Sequence, residues 1–233
     1  KYLQFTFYKK WNKLKAYVNS LGIRMIGDIP IYVAMDSADA WANPSLFQLD
    51  EKNVPYAVAG CPPDGFSATG QLWGNPLYRW EYHRQTGYEW WLKRLSHCFK
   101  LYDAVRIDHF RGFDQYYSIP YGAEDATRGH WEQGPGIDLF NRVRQVLGEK
   151  EGIAEDLGYV TDSVRKLVYD SGFPGMKVLE FAFDSRDSGC ANDYLPHNYP
   201  ENSVAYTGTH DNETLAGWFD SITKEEQNMV RDY

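Results

Sequence analysis

Four acidic residues each follow a short apolar stretch of this 233-residue sequence. They are Asp28 after RMIG, Asp108 after AVRI, Glu155 after GIA and Asp211 after AYTGTH. A single acid in such a place commonly caps the next helix, but four that meet would repel one another and raise one another's pKa values unless a site uses their charge. Acids gathered without a cluster of histidines indicate chemistry on an acetal, where one carboxyl is protonated and another is ionised.

Asp108 and Glu155 have neighbours that suit opposite protonation states. Arg106 and His109 flank Asp108, and a neighbouring cation would keep that carboxylate ionised and nucleophilic. Glu155 follows an apolar isoleucine and alanine pair, and a partly desolvated glutamate among other acids should hold its proton, as a general acid must. A salt bridge between Glu155 and a neighbouring strand is the structural alternative.

Asp211 lies in TGTHDNET, where glycine and small polar residues let the backbone and His210 approach a ligand closely. A carboxylate there could accept hydrogen bonds from sugar hydroxyls that tighten as the ring flattens toward an oxocarbenium ion. Capping of the next helix by Asp211 or Asn212 explains the motif equally well. The four acids could also bind a hard cation, but the adjacent Arg106 disfavours this. We predict no metal and no other cofactor.

Helices and short apolar strands alternate about five times along the chain, which indicates a parallel sheet with helical crossovers. The predicted strands lie in IRMIGDIPIYV, DAVRID, GIAEDLG, MKVLEFAF and SVAYTGTHD. Parallel strands place their carboxyl ends at one edge, where ligands bind. An open doubly wound sheet and a closed (β/α)8 barrel both fit, but no strand is followed by a G-x-G-x-x-G turn. The long stretch from about 32 to 79 is predicted to be an irregular, functional insertion.

The predicted helices have recognisable ends. The helix before GIAEDLG ends at Gly148, the next extends from a cap at Thr161 to Gly172, and the last begins near Thr223. A (β/α)8 barrel needs eight strands, and only about five are found here. We therefore expect the chain to be a fragment of one catalytic barrel, spanning 1–233, that lacks the early strands and the last one.

Composition limits the partners of the protein. The 24 Lys and Arg against 32 Asp and Glu give a net charge of −8, the wrong sign for a phosphate-binding surface, so we expect no nucleic-acid partner. No apolar run reaches the roughly 18 residues of a membrane span, and the beginning resembles no signal peptide. Three cysteines without C-x-x-C spacing indicate a reducing compartment. The aromatic content of 16% suits flat ligands rich in hydroxyls.

Seven motifs in order resemble one known family. They are GDIPIYV, PPDGFSATGQLWGNPLYRW, VRIDHFRGF, AEDLG, PGMKVLEFAF, LPHNYP and YTGTHDNET. The sequence is similar over nearly its whole length to the 4-α-glucanotransferases of glycoside hydrolase family 77, called amylomaltases or disproportionating enzymes, in the α-amylase clan. The resemblance implies a catalytic (β/α)8 TIM barrel that moves α-1,4-glucan segments between glucans by a retaining double displacement.

The resemblance also assigns roles to individual residues. It implies Asp108 as the nucleophile, Glu155 as the general acid/base and Asp211 as the transition-state stabiliser. It implies substrate contacts at nine further positions: Asp28, Phe66, Gln71, Trp73, Asn75, Arg106, His109, Phe181 and His210. Two positions depart from the family pattern, since Gly65 stands where relatives often have an aromatic and Glu213 where aspartate is commoner.

The segment from Tyr121 to Trp131 matches a mobile loop that covers the acceptor subsites in this family, and its small and charged residues suit a lid. The expected partners are α-1,4-glucans and maltooligosaccharides, with no protein partner and no membrane. The expected location is the cytoplasm of a bacterium, or a plastid if the source is a plant. Three alternatives remain: an α-glucan hydrolase, a non-catalytic glucan-binding fragment, and a fragment that is neither folded nor active on its own.

Overall fold

The computed structural model describes residues 1–64, 67–158, 160–185 and 191–233. Within these ranges the strands are β1 (Ile26–Pro30), β2 (Ala57–Cys61), β3 (Gln71–Pro76), β4 (Ala104–Asp108), β5 (Gln115–Pro120), β6 (His130–Gln133), β7 (Gly152–Ala154), β8 (Gly175–Val178) and β9 (Ser203–Tyr206). The α-helices are α1 (Tyr2–Ser20), α2 (Ala38–Ala42), α3 (Trp80–Gln85), α4 (Glu89–Leu101), α5 (Ile137–Leu147), α6 (Asp162–Ser171), α7 (Leu215–Ser221) and α8 (Lys224–Asp232).

A parallel sheet with the strand order β1-β4-β7-β8-β9 forms the centre of the protein. In its register Arg106 lies opposite Asp28, and Asp108 lies opposite Pro30. All residues of β7 and β8 are buried, as expected for parallel strands covered on both faces. The five predicted strands and the α/β class are therefore confirmed.

The helices that pack on this sheet bury one apolar side each. Helix α5 buries Leu139, Phe140 and Val143. Helix α6 begins after Thr161, whose side chain accepts a hydrogen bond from the backbone N–H of Val164, as an N-cap does. The predicted helix ends at Gly148, Gly172 and Thr223 are confirmed by the corresponding caps of α5, α6 and α8.

An aromatic cluster anchors the loop that follows β4. Phe110 and Phe113 come shortly after Asp108 and are fully buried. The ring of Phe110 stacks on Phe140 of α5 at a centroid distance of 4.8 Å, and the ring of Phe113 meets Trp91 of α4 edge to face at 5.2 Å. Because buried aromatic pairs hold specific geometries, this packing fixes the main chain beside Asp108.

The interpretation of the stretch from 32 to 79 as wholly irregular is wrong. It contains α2, β2 and β3, and it joins β5 and β6 in a second, antiparallel sheet with the order β3-β2-β5-β6. In that sheet Ala57 pairs with Pro120 and Gly60 with Tyr117. Pairing between segments so far apart along the chain leaves no local periodicity, so the sequence pattern did not predict it.

The predicted lid, 121–131, lies between β5 and β6. Its last two residues, His130 and Trp131, belong to β6 and pair with Ser118 and Tyr117 of β5. The irregular part is therefore shorter at its carboxyl end than the sequence predicted. Among the described residues, no helix has both the length and the apolar character that crossing a membrane requires.

Packing of α5 on the sheet gives a first prediction. Leu139 is fully buried, so Leu139→Ala should lower the free energy of unfolding by about 2–5 kcal/mol, through lost burial and the cavity left behind. Val146 on the same helix is 47% exposed, so Val146→Ala should change it by less than about 0.5 kcal/mol. Urea unfolding of both variants measures the difference, and equal losses would contradict this packing.

Candidate active site

Arg106 on β4 joins two of the predicted acids. Its Nη1 atom lies 3.0 and 2.8 Å from the two carboxylate oxygens of Asp28 and 3.0 Å from Oδ1 of Asp108. Its Nε atom lies 3.3 Å from the sulfur of Met176 on β8. Asp28 reaches the guanidinium because it lies opposite Arg106 on the adjacent strand. The structure thus places Asp28, Arg106 and Asp108 in direct contact.

Asp108 is a carboxyl on which opposing effects act. Burial raises its pKa, and the positive charge and hydrogen bond of Arg106 lower it. The negative charges of Asp28 and Asp211 raise it again, and the net direction is upward. The predicted contact with Arg106 is present, but burial outweighs its effect on the pKa. Asp211 is thus close enough to Asp108 for its charge to raise the pKa of that carboxyl.

Glu155 follows β7 directly, and main-chain groups hold its carboxyl. Oε2 accepts a hydrogen bond from the backbone N–H of His109 at 2.7 Å, and Oε1 accepts one from that of Leu157 at 3.0 Å. Burial is the largest influence on its pKa, the Leu157 N–H opposes it and the charge of Asp108 adds to it, so the pKa rises to about 7. Within the described ranges Glu155 makes no ion pair, so the salt-bridge alternative is wrong for these residues.

His109 lies between the two carboxyls in the left-handed backbone conformation, with φ of 51°. Its imidazole meets the indole of Trp73 edge to face at a centroid distance of 4.8 Å. Burial and the nearby charge of Arg111 lower its pKa to about 3, so the ring is neutral at ordinary pH. Its Nε2 atom is buried and has no hydrogen-bond partner among the described residues.

His210 and Asp211 lie in the exposed loop after β9. Nε2 of His210 is 3.4 Å from Oδ2 of Asp211. The cap of α7 is Thr214, whose side chain accepts from the N–H of Gly217. Asn212 instead accepts hydrogen bonds from the backbone and side chain of Thr209. The capping alternative for Asp211 and Asn212 is therefore wrong, and the charge of Asp211 acts on Asp108.

The predicted contacts from the insertion lie on β3. Trp73 reaches the site through its contact with His109, and its indole N–H donates to Oε1 of Gln71 at 2.9 Å. The side-chain amide of Asn75 donates to the backbone carbonyl of Val33 at 2.9 Å. Gln71 and Trp73 are thus linked to the acids through His109. Phe66 and Gly65 lie outside the described residues.

Phe181 lies in a short 3-10 turn, Leu179–Phe183, after β8. Its ring meets Tyr194 edge to face at 5.3 Å. It lines a cavity of about 540 Å³ together with Asn212 and Trp218. Because Asn212 follows Asp211, this cavity places Phe181 beside the loop of that acid.

A model of the 4-alpha-glucanotransferase family matches residues 1–233. The chain belongs to this family. It is 51% identical over 235 residues to a 4-alpha-glucanotransferase of Clostridium butyricum, covering 100% of this chain and 48% of the relative. It is 54% identical over 230 residues to one of Streptococcus pneumoniae serotype 4, covering 99% and 44%. The chain therefore spans about half the length of the curated relatives it matches.

A solved structure of a similar protein agrees with the fold. The amylomaltase from Streptococcus agalactiae in complex with acarbose superposes with a TM-score of 0.93 at 46% identity, covering 99% of this chain and 46% of that one. The parallel sheet and its attached antiparallel sheet thus have the arrangement of this member of the 4-alpha-glucanotransferase family.

The sequence patterns did not single out a further acid of this chain that lies at the end of a strand. Glu180 follows β8 in VLEF, is 4% exposed, and lies between the strands that carry Glu155 and Asp211. The rule that found the other four acids applies to it, because it too follows an apolar strand. Among the described residues, no group of three or more His, Cys, Asp or Glu side chains is arranged to hold a metal ion.

The environment of Glu155 gives a second prediction. An acid with a pKa of about 7 is protonated below that pH and ionised above it. The infrared carbonyl band of a protonated carboxyl should therefore disappear as pH rises through about 7 in the native protein, and Glu155→Gln should lack this transition. Asp108→Asn should move the midpoint down, because the charge of Asp108 raises the pKa of Glu155.

Asp138→Asn is the matched control, because Asp138 lies on the exposed side of α5 with a side chain 61% exposed. It should leave the midpoint unchanged. A native midpoint near the ordinary glutamate value of 4.5 would contradict the buried environment described for Glu155.

Proposed function

We propose that the protein containing this chain is a 4-α-glucanotransferase that moves α-1,4-glucan segments from a donor to an acceptor glucan by a retaining double displacement. The observation that supports this most directly is the pair of carboxyls at the carboxyl ends of β4 and β7. Glu155 has a pKa of about 7, whereas Asp108 contacts a buried cation. Membership of the family and the names of the relatives support the same activity.

In the first displacement the carboxylate of Asp108 attacks C1 of a glucose unit. Glu155 gives its proton to the departing glycosidic oxygen, so the C1–O bond breaks as the bond to Asp108 forms. The products are a shortened glucan with a free 4-hydroxyl and a β-glucosyl ester of Asp108. Asp211 accepts hydrogen bonds from sugar hydroxyls that strengthen as the ring flattens.

In the second displacement Glu155 acts as a base. It takes the proton of the 4-hydroxyl of a second glucan, whose oxygen attacks C1 and releases Asp108 as a carboxylate. Transfer is faster than hydrolysis when the acceptor is well positioned. An oriented hydroxyl has an effective molarity on the order of 10⁵ M or more, whereas the concentration of water is about 55 M.

The remaining predicted residues take places around the substrate. The sugar at the cleavage point is proposed to be bound by Asp28, Arg106, His109 and His210. The glucan chain is proposed to be contacted by four residues of the insertion, Phe66, Gln71, Trp73 and Asn75. Phe181 is proposed to line the acceptor side. The edge contact of Trp73 with His109 supports this placement. The acarbose complex of the similar amylomaltase supports α-glucans as the ligand class.

The parallel sheet is proposed to be part of one (β/α)8 barrel, supported by its likeness to the S. agalactiae amylomaltase. Within it, 32–79 is the insertion that contacts glucan and 121–131 the lid. A location in the bacterial cytoplasm, or in a plastid of a plant, stays a prediction.

Incubation of the full-length protein with maltotriose tests the activity. Transfer should yield glucose together with maltooligosaccharides longer than maltotriose, because each released glucose leaves a maltosyl unit for another acceptor. Chromatography of the products measures both. Shorter sugars that accumulate without any longer product would establish an α-glucan hydrolase and overturn the proposal.

Removal of the nucleophile gives a further prediction. Asp108→Asn in the full-length protein should lower kcat for maltotriose disproportionation at least about 10³-fold, because an amide cannot form the covalent intermediate. The exposed Asp138→Asn should keep the native rate. Unchanged turnover in Asp108→Asn would show that Asp108 is not the nucleophile.

A further inference from the structure

Glu180 is a buried carboxyl that the proposed mechanism does not use. It follows β8, which lies between β7 and β9, the strands that lead to Glu155 and Asp211. Its residue exposure is 4%, and its Oε1 atom has no hydrogen-bond partner among the described residues. Burying a polar atom without a hydrogen bond costs free energy, so such an atom calls for an explanation.

The contacts of Glu180 lead to the loop that carries Asp211. Its backbone N–H donates to the carbonyl of Thr207 at 3.1 Å. A Cβ atom added at Gly208 would lie 2.7 Å from Oε1, 3.0 Å from Cδ and 3.1 Å from Oε2 of Glu180, and these are the three nearest atoms. The Glu180 carboxyl therefore lies directly against the main chain at Gly208, three residues before Asp211.

Space, rather than backbone conformation, explains the glycine at position 208. Gly208 is not among the residues with positive φ, so an alanine could adopt its backbone angles. The carboxyl of Glu180 occupies the place that a side chain would take. The side chain of Glu180 and the main chain at Gly208 thus pack against each other with no room for a methyl group between them.

The charge state of Glu180 agrees with a packing role. Burial raises its pKa, and the nearby negative charge of Glu213 raises it further. A carboxyl with a raised pKa gives up its proton less readily, which limits the cost of burying it. Glu213 precedes α7 in the same loop, so its charge acts on Glu180 from the segment after Asp211.

We propose that Glu180 is a positioning residue, whose carboxyl packs on Gly208 and thereby fixes the main chain that presents His210 and Asp211 to the reacting sugar. The inference rests on the proposed function, because the position of Asp211 matters to the rate only if Asp211 stabilises the transition state. A displacement of about 1 Å in such a group can lower a rate about 100-fold.

A double-mutant cycle in the full-length protein tests the contact, with kcat and acceptor KM for maltotriose disproportionation as the readouts. Gly208→Ala should lower kcat about 10- to 100-fold and change KM less than about threefold, because the new methyl displaces the loop. Adding Glu180→Ala should raise kcat at least about fivefold over the single Gly208 variant, since the atoms that the methyl meets are gone. Adding Glu180→Gln should restore nothing, because the amide fills the same space.

The single Glu180 variants test the inference even if Gly208→Ala does not fold. Glu180→Gln preserves the shape and should retain kcat within about threefold of the native value, whereas Glu180→Ala should lower kcat about tenfold with acceptor KM nearly unchanged. Melting curves establish that each variant is folded.

Several results would overturn the inference. The first is a Gly208→Ala/Glu180→Ala protein no faster than Gly208→Ala. The second is an equal loss of kcat in Glu180→Gln and Glu180→Ala. A third is a rise of acceptor KM with unchanged kcat in Glu180→Ala, which would make Glu180 a glucan contact instead. A native protein without transfer activity would overturn the proposed function and this inference together, whereas an active one with independent variants overturns the inference alone.

Discussion

The ion pairs of Arg106 are the interaction on which the rest of the site depends. Arg106 is only 9% exposed and its guanidinium must be paired, because removing a cation from water without a partner is costly. The parallel register of β1 and β4 supplies Asp28 directly opposite, and Asp108 lies two residues further along the strand of Arg106 itself. One buried cation thereby holds two carboxylates at the same edge of the sheet.

The second carboxyl of the proposed mechanism is held in a different manner. Glu155 is oriented by two backbone N–H groups, one from its own loop and one from His109, which follows Asp108 in the chain. The position of the Glu155 carboxyl is therefore set by main chain, which is stiffer than long side chains. The left-handed conformation of His109 and the aromatic packing of Phe110 and Phe113 hold that main chain in place.

Strand positions and strand-end acids could be predicted because each is a local pattern. A short apolar run followed by an acid is visible in the sequence. The parallel arrangement of alternating helices and strands then brings such acids to one edge of the sheet. The antiparallel sheet could not be found in this way, since β2 pairs with β5 across a long stretch of chain. Glu180 shows the opposite case, because its signal was local and was overlooked.

The predicted contact residues of the insertion could not be derived from a local pattern. Nothing in the spacing of Gln71, Trp73 and Asn75 predicts contact with a ligand, and only the resemblance of their motif to a known family indicates it. The physical reason for the placement of Trp73 is its contact with His109, which depends on tertiary packing. Likewise, the net effect of burial and charge on Asp108 could not be weighed before the burial was known.

The antiparallel sheet has a consequence for how such proteins can be recombined. Its central strands β2 and β5 come from two different excursions of the chain, one before α3 and one after β4. Grafting either excursion alone into another scaffold would leave backbone donors and acceptors of the transplanted strand unmatched. The two excursions therefore form one structural unit, and a chimera that keeps this sheet paired has to exchange both.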